Sequence, residues 1–236
     1  MALQYHLKVD DGDVAPFVLL PGDPGRVPLV AATWDDAREV ARNREYVTYT
    51  GTYKGVPISC TSTGIGAPST AIAVEELARV GARTFVRIGT CGTFRHDVAL
   101  GDLAIFDAAE RFDGASRLYA PIEFPAAAHH EVVAAAIEAA GRVGVPFHVG
   151  TTHSTDLFYP PRPGGSAGGV VQSTWAERYE DVARRGVLGV EMEASVIFVL
   201  ARQWGMRGGA IAVVTDSMVE EMSSEDRKST RLNSSH

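Results

Sequence analysis

The chain has 236 residues, and 45% of them are hydrophobic, which suits one α/β domain with a sizeable core. Its formal net charge of −7 disfavours a nucleic-acid groove, because phosphate backbones require a basic face, although a few local arginines can still bind a small anion. Only two cysteines, no apolar run near the ~20 residues of a membrane span and no signal-peptide pattern at the N-terminus predict a soluble cytoplasmic protein.

Apolar, β-rich runs alternate with helical patterns along the chain. The strand patterns cover 14–22, a hairpin over 46–62 that turns at Lys54–Gly55, 83–90, 101–109, 145–152, a strand end at 186–190, and 208–216. The helical patterns cover a segment opened by Pro68 and Ser69 and closed by Gly81, then 129–144, 175–186 and 193–205. This alternation predicts an α/β domain with a mixed, largely buried sheet. Residues 160–169, PPRPGGSAGG, are typical of a mobile surface loop.

The C-terminal eleven residues differ in character from the rest. Residues 226–236 read DRKSTRLNSSH, which resembles the translation of a common sequencing-library adapter. We therefore expect one domain over 1–225, truncated at its C-terminus, followed by an artefactual tail.

Three arginine-bearing turns are candidates for an anion site, since phosphate is bound by positive charge and by backbone N–H groups at glycine-rich turns. Residues 20–26, LPGDPGR, combine a close backbone approach at Gly22 with the Arg26 guanidinium. Arg87 lies inside a buried strand pattern and requires a partner, so it is either a ligand-binding group or half of a structural salt bridge. Arg44 precedes a strand, and a solvated surface position is its alternative interpretation.

Two further motifs carry carboxylates or glycines beside apolar helices. Residues 63–69, TGIGAPS, resemble half of a dinucleotide fingerprint, but Ser69 replaces the third glycine and the next strand lacks the ribose-binding acid. A nicotinamide cofactor is therefore not expected. Residues 191–193, EME, place two carboxylates where ribose hydroxyls could bind; the alternative is the ordinary preference of helix N-termini for acids.

Six motifs in a fixed order resemble one family. They are PGDPGR, REYVTYTGTYKG, STGIGAPSTAIAVEEL, RTFVRIGTCG, DLFYP and GVEMEAS. Together they resemble the bacterial nucleoside phosphorylases of the uridine and hexameric purine type, over almost everything from His6 to about Asp216. The resemblance implies a three-layer α/β/α sandwich with a mixed, partly barrel-like central sheet, assembled as a hexamer (a trimer of dimers). It also implies inorganic phosphate as co-substrate and no required cofactor.

The resemblance assigns expected roles to individual residues. Phosphate would be bound by Gly22, Arg26, Arg44, Arg87 and Thr90, with Arg44 reaching a neighbouring subunit. The nucleoside would be bound by His6 of a neighbour and by Phe158, Arg162, Glu191, Met192 and Glu193. The catalytic residues would be Arg87, Thr90, Glu193 and Asp216. Glu45, Ile65 and Ser69 match positions that hold a monovalent cation, potassium, between subunits in some uridine phosphorylases.

The sequence leaves two alternatives for the base of the nucleoside, uracil and a purine. Arg162 and Gly164 stand where uridine phosphorylases carry the glutamine and arginine that bind the uracil edge. Asp216 matches the acid that purine phosphorylases use near N7, whereas the long segment from Phe158 to Glu191 is typical of uridine enzymes. The overall pattern favours a uridine-phosphorylase-like enzyme, with a purine phosphorylase as the alternative. A phosphate-independent nucleosidase and a non-catalytic nucleoside-binding module are the remaining alternatives.

Overall fold

The computed structural model describes residues 3–159, 167–170 and 174–218. Its strands are β1 (Phe17–Leu20), β2 (Asp36–Asn43), β3 (Tyr46–Tyr53), β4 (Val56–Thr61), β5 (Thr84–Thr93), β6 (Leu103–Phe112), β7 (Phe147–Thr155), β8 (Gly189–Glu191) and β9 (Arg207–Ser217). Its helices are α1 (Arg26–Ala31), α2 (Ala67–Arg79), α3 (Gly114–Tyr119), α4 (His130–Val143), α5 (Trp175–Arg184) and α6 (Ala194–Gln203). None of these helices combines the length and apolar character that crossing a bilayer requires.

One sheet contains all nine strands, in the order β2-β3-β4-β1-β5-β8-β7-β6-β9. Strand β9 also pairs in parallel with β5, so β5, β8, β7, β6 and β9 close into a five-stranded ring. The pairs β6–β7 and β7–β8 are parallel, and β5–β8 and β6–β9 are antiparallel. This confirms the predicted mixed, partly barrel-like sheet.

Strand β5 belongs to both parts of the sheet. In the register, Arg87 lies opposite Leu20 of β1 on one side and Ala210 of β9 on the other. Phe85 and Val86 are buried, as the nearly continuous apolar pattern predicted for a strand inside a sheet. The carboxyl end of β5 therefore lies where the open sheet meets the ring.

The helices cover the sheet through apolar faces. Every residue of α6 from Ala194 to Ala201 is buried, because this helix packs against both β9 and α2. Helix α2 begins with Pro68 in its first turn, as predicted, and buries Val74 and Leu77. Helix α4 ends at Gly144, whose φ of 74° is the left-handed conformation that favours glycine at a helix end.

Three elements were absent from the sequence prediction. Strand β2 lies at the sheet edge and its residues are exposed or half-buried, so its sequence DAREVARN lacks an apolar alternation. Helices α1 and α3 have only six residues each, too few for a helical period to be evident. Asp113 caps α3 by accepting a hydrogen bond from the Ser116 N–H. Most of the predicted 160–169 loop, and the expected tail at 226–236, lie outside the described residues.

A partly buried ion-pair network links the end of α5 to the ring. Glu110 of β6 and His153 of β7 are directly opposite, with 2.7 Å between Glu110 Oε2 and His153 Nδ1. Arg185, which follows α5, donates to both Glu110 oxygens at 2.7 and 3.1 Å. Burial raises the pKa of Glu110, but the hydrogen bonds from His153 and Arg185 outweigh it and lower the pKa to about 2.

We expect Glu110→Gln to lower the free energy of unfolding at pH 7 by about 2–3 kcal/mol, because a carboxylate with a lowered pKa stabilises the fold only while it is ionised. This contribution is complete above the unfolded-state pKa of about 4.3. It is lost as the pH falls towards 2. Urea unfolding from pH 7 to pH 3 measures it: the difference in stability between the two proteins should narrow as the pH falls. Glu138→Gln, which removes an exposed pair with Arg142, is the matched control. If the stability difference between the variant and the wild type stayed constant with pH, the ion pair would not be its cause.

Candidate active site

A cavity of 1090 Å³ opens at the carboxyl ends of β1 and β5. Its walls come from the turn after β1, the end of β5, the start of α2, the β8–α6 junction, and the ends of β7 and β9. The predicted site residues that line it are Gly22, Arg26, Glu45, Ile65, Ser69, Arg87, Thr90, Phe158, Glu191, Met192, Glu193 and Asp216. The fold therefore brings together motifs that are distant in sequence.

Arg87 lines the cavity and is only 7% exposed. Its Nε is 3.2 Å from Glu191 Oε2, and its Nη2 forms a close ion pair with Glu193 Oε2. Its Nη1 is buried and has no hydrogen-bond partner among the described residues. A Cβ placed on Gly22 would lie 4.0 Å from this Nη1. Arg87 is thus both a structural ion pair and a free donor that faces the glycine turn.

Glu193 is held between Arg87 and the start of α2. Its Oε1 accepts a 2.6 Å hydrogen bond from the Gly66 N–H. Burial raises the pKa of Glu193, the Arg87 guanidinium opposes this, and the neighbouring Glu191 carboxylate adds to it, so the pKa stands above its ordinary value. Gly66 has a φ of 87°, and the glycine-rich turn that resembled a dinucleotide fingerprint instead binds this carboxylate.

Glu191 organises the start of α6. Its Oε2 accepts from the backbone N–H groups of Glu193 at 2.8 Å and Ala194 at 2.7 Å, and its Oε1 accepts from the Ser154 hydroxyl. The Ser195 N–H in turn donates to the Ser154 oxygen at 3.1 Å. Glu191 therefore fits the alternative interpretation of the EME motif, in which an acid is favoured at a helix N-terminus. Ser154 was not predicted, because no local pattern links a serine at a strand end to a glutamate 37 residues away.

The turn after β1 forms the anion-facing wall. The Gly22 carbonyl accepts from the Gly64 N–H at 3.0 Å, and a Cβ on Gly22 would lie only 3.2 Å from the Gly64 carbonyl oxygen. The turn is closed by Asp23, whose Oδ1 accepts from the Gly25 N–H at 2.8 Å. Arg26, the first residue of α1, is half-buried here. The Arg26 guanidinium at this wall, together with the Arg87 Nη1 near Gly22, suits a small anion.

Other lining residues are more exposed. Phe158 is 71% exposed and Met192 is half-buried. Asp216 is exposed, and its Oδ1 accepts from the Ser217 N–H at 2.9 Å. Sequence reasoning assigned no role to several further lining residues, namely Cys91, Gly92, Tyr159, Tyr179, Val190 and Met218. Burial raises the pKa of the Cys91 thiol to about 12, so this side chain is a neutral apolar surface at pH 7.

Some predicted site residues lie elsewhere. His6 and Arg44 are outside the cavity lining, and Arg162 lies outside the described residues. Ile65 is 79% exposed at the cavity edge, where its carbonyl accepts from the Ser69 hydroxyl at 3.1 Å. A Cβ placed on Gly64 would lie 2.8 Å from Glu45 Cγ and 3.2 Å from Ser69 Oγ, so those two side chains flank one backbone position.

Residues 16–235 match the Phosphorylase superfamily. The chain belongs to this superfamily. It is 47% identical over 231 residues to a uridine phosphorylase of Thermococcus kodakarensis, covering 98% of this chain and 83% of the relative. It is 40% identical over 232 residues to a uridine phosphorylase of Escherichia coli, covering 96% and 91%. It is also 40% identical over 219 residues to a guanosine phosphorylase of Halorubrum lacusprofundi, covering 93% and 86%.

These relatives from the superfamily share a reaction in their names and differ in the base. The sequence resemblance to nucleoside phosphorylases is confirmed.

Proposed function

We propose that this superfamily member cleaves the N-glycosidic bond of a nucleoside with inorganic phosphate, giving the free base and ribose 1-phosphate, and that uridine is its principal substrate. The main support is Arg87 Nη1, which is buried, lies near the Gly22 turn and has no hydrogen-bond partner among the described residues, so it is a donor free for an anion. The two uridine phosphorylase relatives support the choice of base.

When the C1′–N bond breaks, charge develops on both the sugar and the base, and the site must stabilise both charges. As the C1′–N bond breaks, positive charge develops on the sugar, and phosphate held by Arg26, Arg87 and Thr90 stabilises it before a phosphate oxygen bonds to C1′. The Glu193 carboxylate accepts hydrogen bonds from ribose hydroxyls and orients the sugar, while Met192 packs against it. The departing base keeps the bonding electron pair, and a donor such as Arg162 stabilises uracil until it takes up a proton.

Base release measured with and without phosphate tests the reaction. We expect release only when phosphate is present, with ribose 1-phosphate formed in equal amount. Equal release in phosphate-free buffer would establish a nucleosidase instead. Binding of nucleoside without release under either condition would establish a non-catalytic binding module.

A purine nucleoside is the second candidate substrate, because Asp216 lines the cavity and one relative is a guanosine phosphorylase. A protonated Asp216 would donate to N7 of a leaving purine. We expect turnover of uridine to exceed that of inosine, guanosine and adenosine in a substrate panel, and Asp216→Asn to remove purine turnover while leaving uridine turnover within about threefold. Loss of inosine turnover in this variant, together with no uridine cleavage by the wild type, would establish the purine assignment.

We also infer a hexamer built as a trimer of dimers, in which His6 and Arg44 complete a neighbour's site. The support is that both residues lie outside their own cavity and that Arg44 is exposed at the β2–β3 turn. Light scattering tests the assembly, and Arg44→Ala is expected to raise the KM for phosphate by at least about thirtyfold, the equivalent of ~2 kcal/mol. A fully active monomer would overturn this inference.

A potassium ion at the same interface is a further part of the proposal, with Glu45, the Ile65 carbonyl and Ser69 as its oxygen ligands. A higher melting temperature in potassium chloride than in choline chloride at equal ionic strength would support it, and identical melting would overturn it.

We propose a cytoplasmic location, which suits the two buried free cysteines, Cys60 and Cys91.

A further inference from the structure

The His6 imidazole is held by a carboxylate that lies outside the proposed active site. Glu76 of α2 is only 5% exposed, and its Oε1 is 2.7 Å from His6 Nδ1. The same carboxylate accepts from the backbone N–H of His6 at 3.0 Å and from that of Leu7 at 2.8 Å. One buried side chain therefore fixes both the backbone and the ring of a residue 70 positions away.

This arrangement determines which ring nitrogen carries the proton. An ionised carboxylate only accepts hydrogen bonds, so His6 Nδ1 must be the donor. Burial raises the pKa of Glu76, yet the hydrogen bonds from Leu7 and His6 lower it below its ordinary value, so Glu76 is ionised at neutral pH. In the neutral imidazole, Nε2 is then left without a proton, as an acceptor suited to a hydroxyl group.

A second contact ties His6 to the turn that carries Arg44. Asn43 Nδ2, at the end of β2, donates a 2.7 Å hydrogen bond to the His6 carbonyl. Arg44 follows with a φ of 54°, in the left-handed region. His6 is thus hydrogen-bonded both to the β2–β3 turn and to Glu76.

We propose that Glu76 is a positioning residue for the reaction, which orients His6 and fixes its Nδ1–H tautomer so that Nε2 accepts a hydrogen bond from the 5′-hydroxyl of a nucleoside bound by a second copy of the chain. This rests on the proposed function, in which His6 completes a neighbour's site. The carboxylate does not touch the substrate and acts only through the imidazole.

A comparison of uridine with 5′-deoxyuridine tests the proposal, because the second nucleoside lacks the hydroxyl that His6 would bind. We expect Glu76→Gln to lower kcat/KM for uridine about tenfold, mainly through KM, and to change kcat/KM for 5′-deoxyuridine by less than twofold. Equal loss with both substrates would show that Glu76 is merely structural and would overturn the proposal. Glu75→Gln, the adjacent glutamate that pairs with Arg79 on the helix surface, is the matched control and should change neither substrate.

Two further measurements keep the test decisive. In a His6→Ala background, Glu76→Gln should have no additional effect on the ratio of the two substrates; an unchanged effect would overturn the proposal. Nitrogen-15 NMR of the imidazole should show the Nδ1–H tautomer in the wild type, and the Nε2–H form there would contradict it, even if the Glu76 variant failed to fold. Absence of phosphate-dependent release from either nucleoside in the wild type would overturn the proposed function instead.

Discussion

Replacing Arg87 with methionine is expected to lower kcat/KM for phosphorolysis by about 10³-fold or more. The guanidinium is the buried donor that faces the Gly22 turn, and it also pairs with Glu191 and Glu193. Removing one partner of a buried charge pair costs roughly 2–5 kcal/mol or more, since the remaining charges are left unpaired. In this enzyme the substitution would weaken both phosphate binding and the stabilisation of charge at C1′. Each 1.36 kcal/mol added to the activation free energy lowers the rate tenfold.

Steady-state kinetics with varied phosphate measures this loss. Arg87→Lys should recover only a small part of the activity, because an ammonium group does not present several N–H donors in one plane. Arg79→Met, which changes a surface arginine of α2, is the matched control and should retain wild-type kinetics. Wild-type phosphate dependence in Arg87→Met would show that the anion binds elsewhere.

The second large effect is expected on stability. Arg111, at the end of β6, is 6% exposed. It donates to five backbone carbonyls, those of Ser116, Ala120, Pro121, Ile122 and Phe124. These carbonyls belong to α3 and the irregular segment that follows it. Arg111→Met should lower the free energy of unfolding by about 3–5 kcal/mol, because several buried acceptors lose their donor at once.

Urea unfolding and a melting temperature lower by about 10 °C would support this value. Arg142→Met, on the exposed face of α4, removes only a surface pair with Glu138 and is expected to change stability by less than about 0.5 kcal/mol. Equal stability of the two variants would mean that solvent replaces the Arg111 hydrogen bonds without cost.

The sequence predicted most of the fold because buried elements leave a clear pattern. The continuous apolar runs of β5 and β9 and the apolar α6 were evident, since each is covered on more than one side. Edge strand β2 was not evident, because a polar strand with one neighbour carries no comparable signal. Closure of the ring depends on pairing between β5 and β9, which no local pattern contains, and only the family resemblance implied it.

The site was predicted as a set of residues but not as a set of contacts. The glycine turns, Arg87 and the pair Glu191 and Glu193 were identified because charges beside apolar runs require partners. Their partners lie far away in the chain: Gly66 is 127 residues from Glu193, and Ser154 is 37 residues from Glu191. Glu76 gave no signal at all, because one glutamate on an amphipathic helix is indistinguishable from a surface residue until its contact with His6 is observed.

The pairing of β5 with β9 also has consequences for how the molecule folds. Thr84 and Arg207, at the start of this pair, are 123 residues apart, so the ring closes only after most of the chain has been synthesised. Long-range strand pairing is slow, because the entropy of closing the loop is lost before the contacts form. Until then the edge of β5 that pairs with β9 is unpaired in the partly folded chain, and an unpaired strand edge favours aggregation. Because the end of β9 also lines the cavity, the site would be completed late in biosynthesis.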